Sequence, residues 1–197
     1  MKHFLLTLVS VCLIGTAYAE DKNWQTSEHN YNFESDVWGL EIRTIGNDDY
    51  DHVEGKFKMT KDLELALRYA EDGANTEIRP KLTHKILKAG PLSLAHRIEY
   101  RYFEGTKDDN WRYRGIVGLN AGNAWIKMQP RWSFGAGKTG DAKIDDVKWQ
   151  AGYDISLASK ESTKVAFTPY VEYLQSGEKD SWVKQHMIVG TRLKVKF

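Results

Sequence analysis

The chain has 197 residues, with 28 Lys and Arg against 27 Asp and Glu, seven Trp, ten Tyr and a single Cys. This balance gives no basic excess for a nucleic-acid partner, and one cysteine excludes a disulfide framework. No segment holds 18 consecutive apolar residues, so no membrane helix is expected.

Met1 to Ala19 has a basic start at Lys2, an apolar run from Phe4 to Ile14 and the small residues Ala17 and Ala19. That order fits a secretory signal (1–19) cleaved before Glu20, leaving 20–197 as one exported domain. Cleavage removes Lys2 and Cys12, so the mature chain carries no net charge and no thiol. Glu20 to Glu28 is polar and reads as a loose periplasmic start.

The first predicted strand covers roughly His29 to Ile45, with Trp38, Leu40 and Ile42 opposite Gly39, Glu41 and Arg43. Tyr31 and Phe33 stand in the opposite phase, which predicts a bulge or a late start. After the turn at Gly46–Asp49, strand two sets Val53, Phe57 and Met59 against His52, Glu54, Lys56 and Lys58. Strand three sets Leu63, Leu65, Leu67 and Tyr69 against Glu64, Ala66 and Arg68. Strand four opposes Ile78, Leu82 and Ile86 to Glu77, Arg79, Lys81, Thr83 and Lys85. Strand five opposes Ile98, Tyr100 and Tyr102 to Arg97, Glu99 and Arg101, and strand six Trp111, Tyr113 and Val117 to Arg112 and Arg114. Strand seven places Ile126, Met128, Trp132 and Phe134 against Lys127, Gln129 and Arg131.

Beyond the Gly- and Asp-rich stretch Gly135–Asp145, strand eight runs from Val147 to Leu157 and strand nine from Val165 to Tyr173. Strand ten is the C-terminal MIVGTRLKVKF, in which Met187, Val189, Leu193, Val195 and Phe197 oppose Arg192, Lys194 and Lys196. Short connections follow strands two, four, six and eight; longer acidic ones follow three, five, seven and nine. A transmembrane barrel has this rhythm of short periplasmic turns and longer outer loops. The fold class expected is all-β, an antiparallel transmembrane β-barrel of about ten strands. A soluble barrel such as a lipocalin would alternate equally, but with its apolar face inside. Pro80, Pro130 and Pro169 lie mid-strand, where a missing donor predicts local bulges.

If the apolar side meets lipid, the charged side lines the lumen. Eighteen cations then point inward against seven acids: Glu41, Glu54, Glu64, Glu77, Glu99, Asp154 and Glu172. The compensating acids fall in turns and loops, among them Asp48, Asp49, Asp141, Asp145, Asp146, Glu178 and Asp180. A lumen of this kind draws anions in, and Arg presents paired donors to carboxylates. The expected anion path comprises Arg79, Lys81, Arg97, Arg101, Arg112, Arg114, Lys127, Arg131 and Arg192.

Three short segments carry a family resemblance. Thr168-Pro169-Tyr170-Val171-Glu172-Tyr173 resembles a segment before the last strand of the oligogalacturonate-specific porin family (KdgM/NanC type). The alternations around Arg97–Tyr102 and Trp111–Arg114, and Ile78-Arg79-Pro80, are similar to its lumenal strands. The resemblance implies a monomeric, narrow, anion-selective channel for acidic oligosaccharides or sugar acids, built from twelve strands. Phe197, closing the last strand, resembles the C-terminal signature of Gram-negative outer-membrane proteins, which implies outer-membrane lipid as surroundings and recognition by the barrel assembly machinery. No cofactor, metal or catalytic residue is expected. The rival functions are a closed structural or adhesive barrel and an outer-membrane lipid-modifying enzyme. For the latter, His84 and His96 face lipid without an acid in phase, and no Ser/His/Asp set is visible around His52 or His186.

Overall fold

Strands with one apolar and one charged face can satisfy both by closing on themselves, and this chain closes with the charges inside. The computed structural model describes residues 24–45, 50–72, 75–105, 107–135, 144–160, 162–176 and 185–197. The signal segment, Lys184 and several of the loop acids lie outside these residues. The strands are β1 (Trp24–Glu34), β2 (Trp38–Ile45), β3 (Tyr50–Lys58), β4 (Leu63–Asp72), β5 (Asn75–Ala89) and β6 (Leu92–Glu104). They continue with β7 (Asn110–Ala121), β8 (Ala124–Phe134), β9 (Asp146–Tyr153), β10 (Ile155–Lys160), β11 (Thr163–Ser176) and β12 (Gln185–Lys196). All twelve belong to one sheet. β9 and β10 pair with the same edge of β11 in one register, Gly152 facing Tyr170 and Ile155 facing Phe167. They are two segments of one stave, so the barrel has eleven staves.

The phase change before Trp38 is a reversal of the chain, not a bulge. Ser35 takes the turn: its Oγ accepts from Val37 and Trp38 N–H, and β1 folds back antiparallel onto β2, Phe33 facing Leu40 and Tyr31 facing Ile42. One extra reversal makes the stave count odd. An odd closed sheet cannot be antiparallel throughout, and the exception is β1 with β12, paired in parallel from Trp24/Met187 to Glu34/Lys196. β1 therefore starts at the end of the barrel that carries the longer connections, which corrects the periplasmic start expected for Trp24 to Glu28.

The prolines do not bulge either. Pro80 faces Leu67, Pro130 faces Val147 and Pro169 faces Thr191, all in unbroken register. What each proline removes is ladder pairing on its other side. The β5–β6 ladder steps from Ile78/Tyr102 to Lys81/Glu99, and β7–β8 from Arg114/Arg131 to Val117/Met128. Opposite Pro169 and Thr168 the gap covers Tyr153 and Asp154 and splits β9 from β10. The missing N–H drops a bond without adding a residue, so alternation survives. The register shifts lie elsewhere, at Gln25/Glu28, Lys85/Leu87 and Ser156/Ala158.

Polarity is inverted relative to a soluble protein. Leu67 (57% exposed), Ile86 (60%) and Phe57 (52%) lie on the outer surface, while Glu77 and Glu99 are fully buried. A soluble barrel would have these faces exchanged, so the lipocalin alternative is excluded. An apolar outer surface around a closed ladder is what a hydrocarbon environment demands, since closure leaves no open sheet edge. Phe197 belongs to that outer surface. Its N–H donates to Glu34 C=O (2.9 Å), and its ring lies 6.4 Å from that of Trp38.

The parallel seam is crossed by side chains. A row of paired residues runs Trp125, Gly152, Tyr170, Gly190, Glu28 over β8, β9, β11, β12 and β1. Large and absent side chains alternate, so each ring lies flat across the glycine beside it. A Cβ on Gly190 would stand 2.5 Å from Tyr170 Cζ, and one on Gly152 2.6 Å from Trp125 Cζ2. By crossing Gly190, the Tyr170 hydroxyl reaches Glu28 and donates to its carboxylate. Gly190→Ala is therefore expected to destabilise the folded barrel by about 1–3 kcal/mol through overpacking. Gly55→Ala, where nothing lies within 4 Å, is the control and should cost nothing measurable. Urea unfolding in detergent compares them; equal midpoints for the two variants would contradict the crossing.

Candidate functional site

Strand parity puts all nine residues of the expected anion path on the inner face, where they meet more carboxylates than the sequence count allowed. Glu28, expected in a loose start, is buried at 1% exposure and pairs with Arg43. Asp146, expected in an outer loop, pairs with Arg131. The excess of inward positive charge is thus smaller than expected.

Besides Glu28, four buried carboxylates and the half-buried Glu41 organise the interior. Glu54 on β3 accepts from Arg68 Nε (2.7 Å) and Lys81 Nζ (2.5 Å). Glu41 on β2 meets Lys56 Nζ at 2.5 Å, and its other oxygen lies 3.1 Å from His52 Nε2. Glu77 on β5 holds Arg79 and Arg101, the latter at 3.0 Å. Glu99 on β6 lies between Arg114 (3.1 Å), Arg79 (3.6 Å) and Arg97 (3.8 Å). Glu172 on β11 accepts from Lys148 Nζ (2.5 Å) and Gln150 Nε2 (2.8 Å), with Arg43 at 3.6 Å.

These groups link into a belt. From Glu99 it passes through Arg114 to Gln129 (3.0 Å), to Gln150 (2.9 Å) and to Glu172. Arg43 joins Glu172 to Glu28, and Asn30 Nδ2 donates to Glu41 at 3.4 Å. The belt touches every stave except β12, which Tyr170 spans over Gly190. A buried charge without a counterpart is costly, so such a network holds only if its members are satisfied together.

Toward the end with the short turns, the lumen opens into a cavity of about 270 Å³. Nine cations but only four carboxylates (Glu28, Glu34, Glu41 and Glu54) line it. The two sides differ. Lys56 and Arg68, on β3 and β4, sit against Glu41 and Glu54. On the other side Lys127 Nζ lies 4.9 Å from the Trp125 ring centre, and the Arg192 guanidinium lies 5.0 Å from Tyr170 and 5.7 Å from Trp125. Arg192 Nε is buried without a hydrogen-bond acceptor. Arg112, higher in the lumen, is bonded to Ser133 Oγ at 3.5 Å. Arg112, Lys127 and Arg192 thus have no carboxylate within ion-pair distance among the described residues. The other six path residues have carboxylate neighbours.

Sequence reasoning missed Glu28 and the aromatic–glycine row. The first was legible, since Glu28, Asn30 and Asn32 alternate with His29, Tyr31 and Phe33. The second needed the register, which places Gly152 and Gly190 beside Trp125 and Tyr170. On the outer face, His84 and His96 point as expected and satisfy each other, Nδ1 to Nε2, at 3.2 Å. Among the described residues no group of three or more His, Cys, Asp or Glu is placed to hold a metal.

The fold and the lumen define a β-barrel of the membrane-spanning type, apolar outside and charged within. No family model matches the chain, and no curated protein sequence does. Among solved structures it is similar to OpdL of Pseudomonas aeruginosa, at 12% identity and a TM-score of 0.33, over 70% of this chain and 51% of that one. The chain spans about half the length of OpdL, and a likeness this distant carries nothing about substrate. The resemblance to oligogalacturonate-specific porins remains one of short segments.

Removing a belt carboxylate strands its cations. Glu99→Ala should cost about 3–5 kcal/mol, because Arg79, Arg97 and Arg114 lose their shared partner. Asp62→Asn, at the exposed Lys61–Asp62 pair (4.0 Å), should leave the unfolding midpoint unchanged. Denaturant titration of both variants in lipid vesicles checks the contrast.

Proposed function

We propose that the protein is an outer-membrane channel that favours anions and passes acidic oligosaccharides or small sugar acids. The observation that carries this reading is in the cavity lining: of its nine cations, Lys127 and Arg192 lie against aromatic rings and not in an ion pair with an acid. Ion-paired side chains largely cancel each other's field; the uncompensated ones raise the local concentration of anions. With the short turns toward the periplasm, the cavity is the periplasmic vestibule and the longer connections face outward. Outer-membrane lipid then surrounds the apolar face, the barrel works as a monomer, and Phe197 serves its recognition by the assembly machinery.

One observation favours a second reading, a closed structural barrel. The belt is packed around fully buried carboxylates, and at this barrel size side chains can fill the interior. Transport would require a path past Glu54, Glu99 and Glu172 that small anions can use.

Purified protein in a planar bilayer under a KCl gradient separates the two. The channel reading expects unitary currents, a reversal potential on the chloride side and block by oligogalacturonate but not by a neutral oligosaccharide. Absence of current at every potential would favour the closed barrel, and cation selectivity would contradict the anion channel.

A further inference from the structure

The aromatic rings of the vestibule sort its cations into two kinds. Trp125 and Tyr170 each turn one face to the wall, where Gly152 and Gly190 leave room for the ring to lie flat. Arg192 lies over both rings from the lumen side, and Lys127 lies over Trp125. A cation held by a ring keeps its full charge and its donors, whereas one held by a carboxylate has spent both. Arg192 Nε is buried and has no acceptor. The acidic neighbour on this side, Asp154, already accepts through Oδ1 from Trp125 Nε1 (3.2 Å) and Thr168 Oγ1 (2.6 Å). Lys194, nearby, is ion-paired with Glu34 at 3.4 Å.

We propose that Arg192 and Lys127, braced on Tyr170 and Trp125, form a fixed binding site for one compact oxyanion in the vestibule. The ligand class is a carboxylate, phosphate or sulfate, recognised by its charge and oxygens alone. The geometry makes the site blind to a sugar ring. Stacking needs a free aromatic face, yet the faces of Trp125 and Tyr170 are taken by glycine backbone on one side and by the cations on the other. This inference rests on the anion reading of the lumen but not on conduction, since a site in the vestibule fills from the turn end even if the belt is closed.

The test is isothermal titration calorimetry on the folded, detergent-solubilised protein at constant ionic strength, with inorganic phosphate, galacturonate and neutral galactose as probes. Saturable one-to-one binding of phosphate or galacturonate is expected, with no heat from galactose. Arg192→Gln should weaken the anion about tenfold or more, the loss of one charge-assisted donor pair. Trp125→Leu keeps every charge but removes the brace, and should also weaken it; simple electrostatic attraction would be unmoved by that change. Lys61→Gln, at an exposed lysine in the β3–β4 turn, outside the cavity lining, removes the same charge as Arg192→Gln and should leave affinity unaltered. Near-ultraviolet circular dichroism confirms that each variant is folded. Absence of saturable anion binding, equal binding of galactose, or equal losses in Arg192→Gln and Lys61→Gln would overturn the site. Binding without conductance would uphold the site and discard the channel; conductance without binding would do the reverse.

Discussion

A carboxylate removed from water needs a cation beside it, and that requirement decides how the inside of this barrel is built. Glu28, Glu54, Glu77, Glu99 and Glu172 come from different strands, and each sits against at least one cation, Glu99 drawing Arg79 and Arg114 from the strands on either side. Linked by Gln129 and Gln150, they tie the staves together with side chains as the ladders do with backbone. Ladder pairing alone would tolerate a slip of two residues in register, since alternation is preserved. The belt does not, because such a slip would separate the pairs made between strands, such as Glu54 with Arg68 and Glu99 with Arg114.

The belt also explains how the barrel tolerates its seam. Parallel pairing of β1 with β12 is the unavoidable result of eleven staves, and it is slightly weaker per residue than antiparallel pairing. β12 offers no belt residue, having Ile188 and Gly190 at that height. The absent side chain at Gly190 lets Tyr170 cross and reach Glu28, and Arg43 then joins Glu28 to Glu172 on the far side. The weakest backbone junction is thus bridged by side chains from both flanks. On β12 below the crossing, Arg192 finds rings where other lumenal cations find acids, so positive charge left uncompensated by the belt collects in the vestibule.

Much of the fold was legible in the sequence, because alternation is a local property. From Trp38 to Phe197 every predicted strand has its counterpart, and the inward and outward rows are assigned correctly. The failures trace to features that alternation does not encode. A phase change can mean a bulge or a reversal; only the partner of Tyr31, which is Ile42, distinguishes them. The prolines broke ladders without shifting register, because a lost donor is not an inserted residue. At the site, parity places Arg79 and Arg114 in the lumen but does not say that both share Glu99. Whether an inward cation is neutralised depends on neighbours one or two staves away, and that is a property of register. Glu28 was lost by starting the first strand at His29, five residues after its start at Trp24.

The account rests on one arrangement, apolar residues toward lipid and charged residues within. The expected mature chain has no cysteine, so single cysteines at Leu67 and Ile98 on the outer face and at Asn32 on the inner face can each carry a nitroxide label. Collision rates with oxygen and with a water-soluble nickel complex, measured by electron paramagnetic resonance in lipid bilayers, read each environment. The account predicts high oxygen and low nickel exposure at Leu67 and Ile98, and the reverse at Asn32. Nickel access at the two outer sites together with shelter at Asn32 would contradict it.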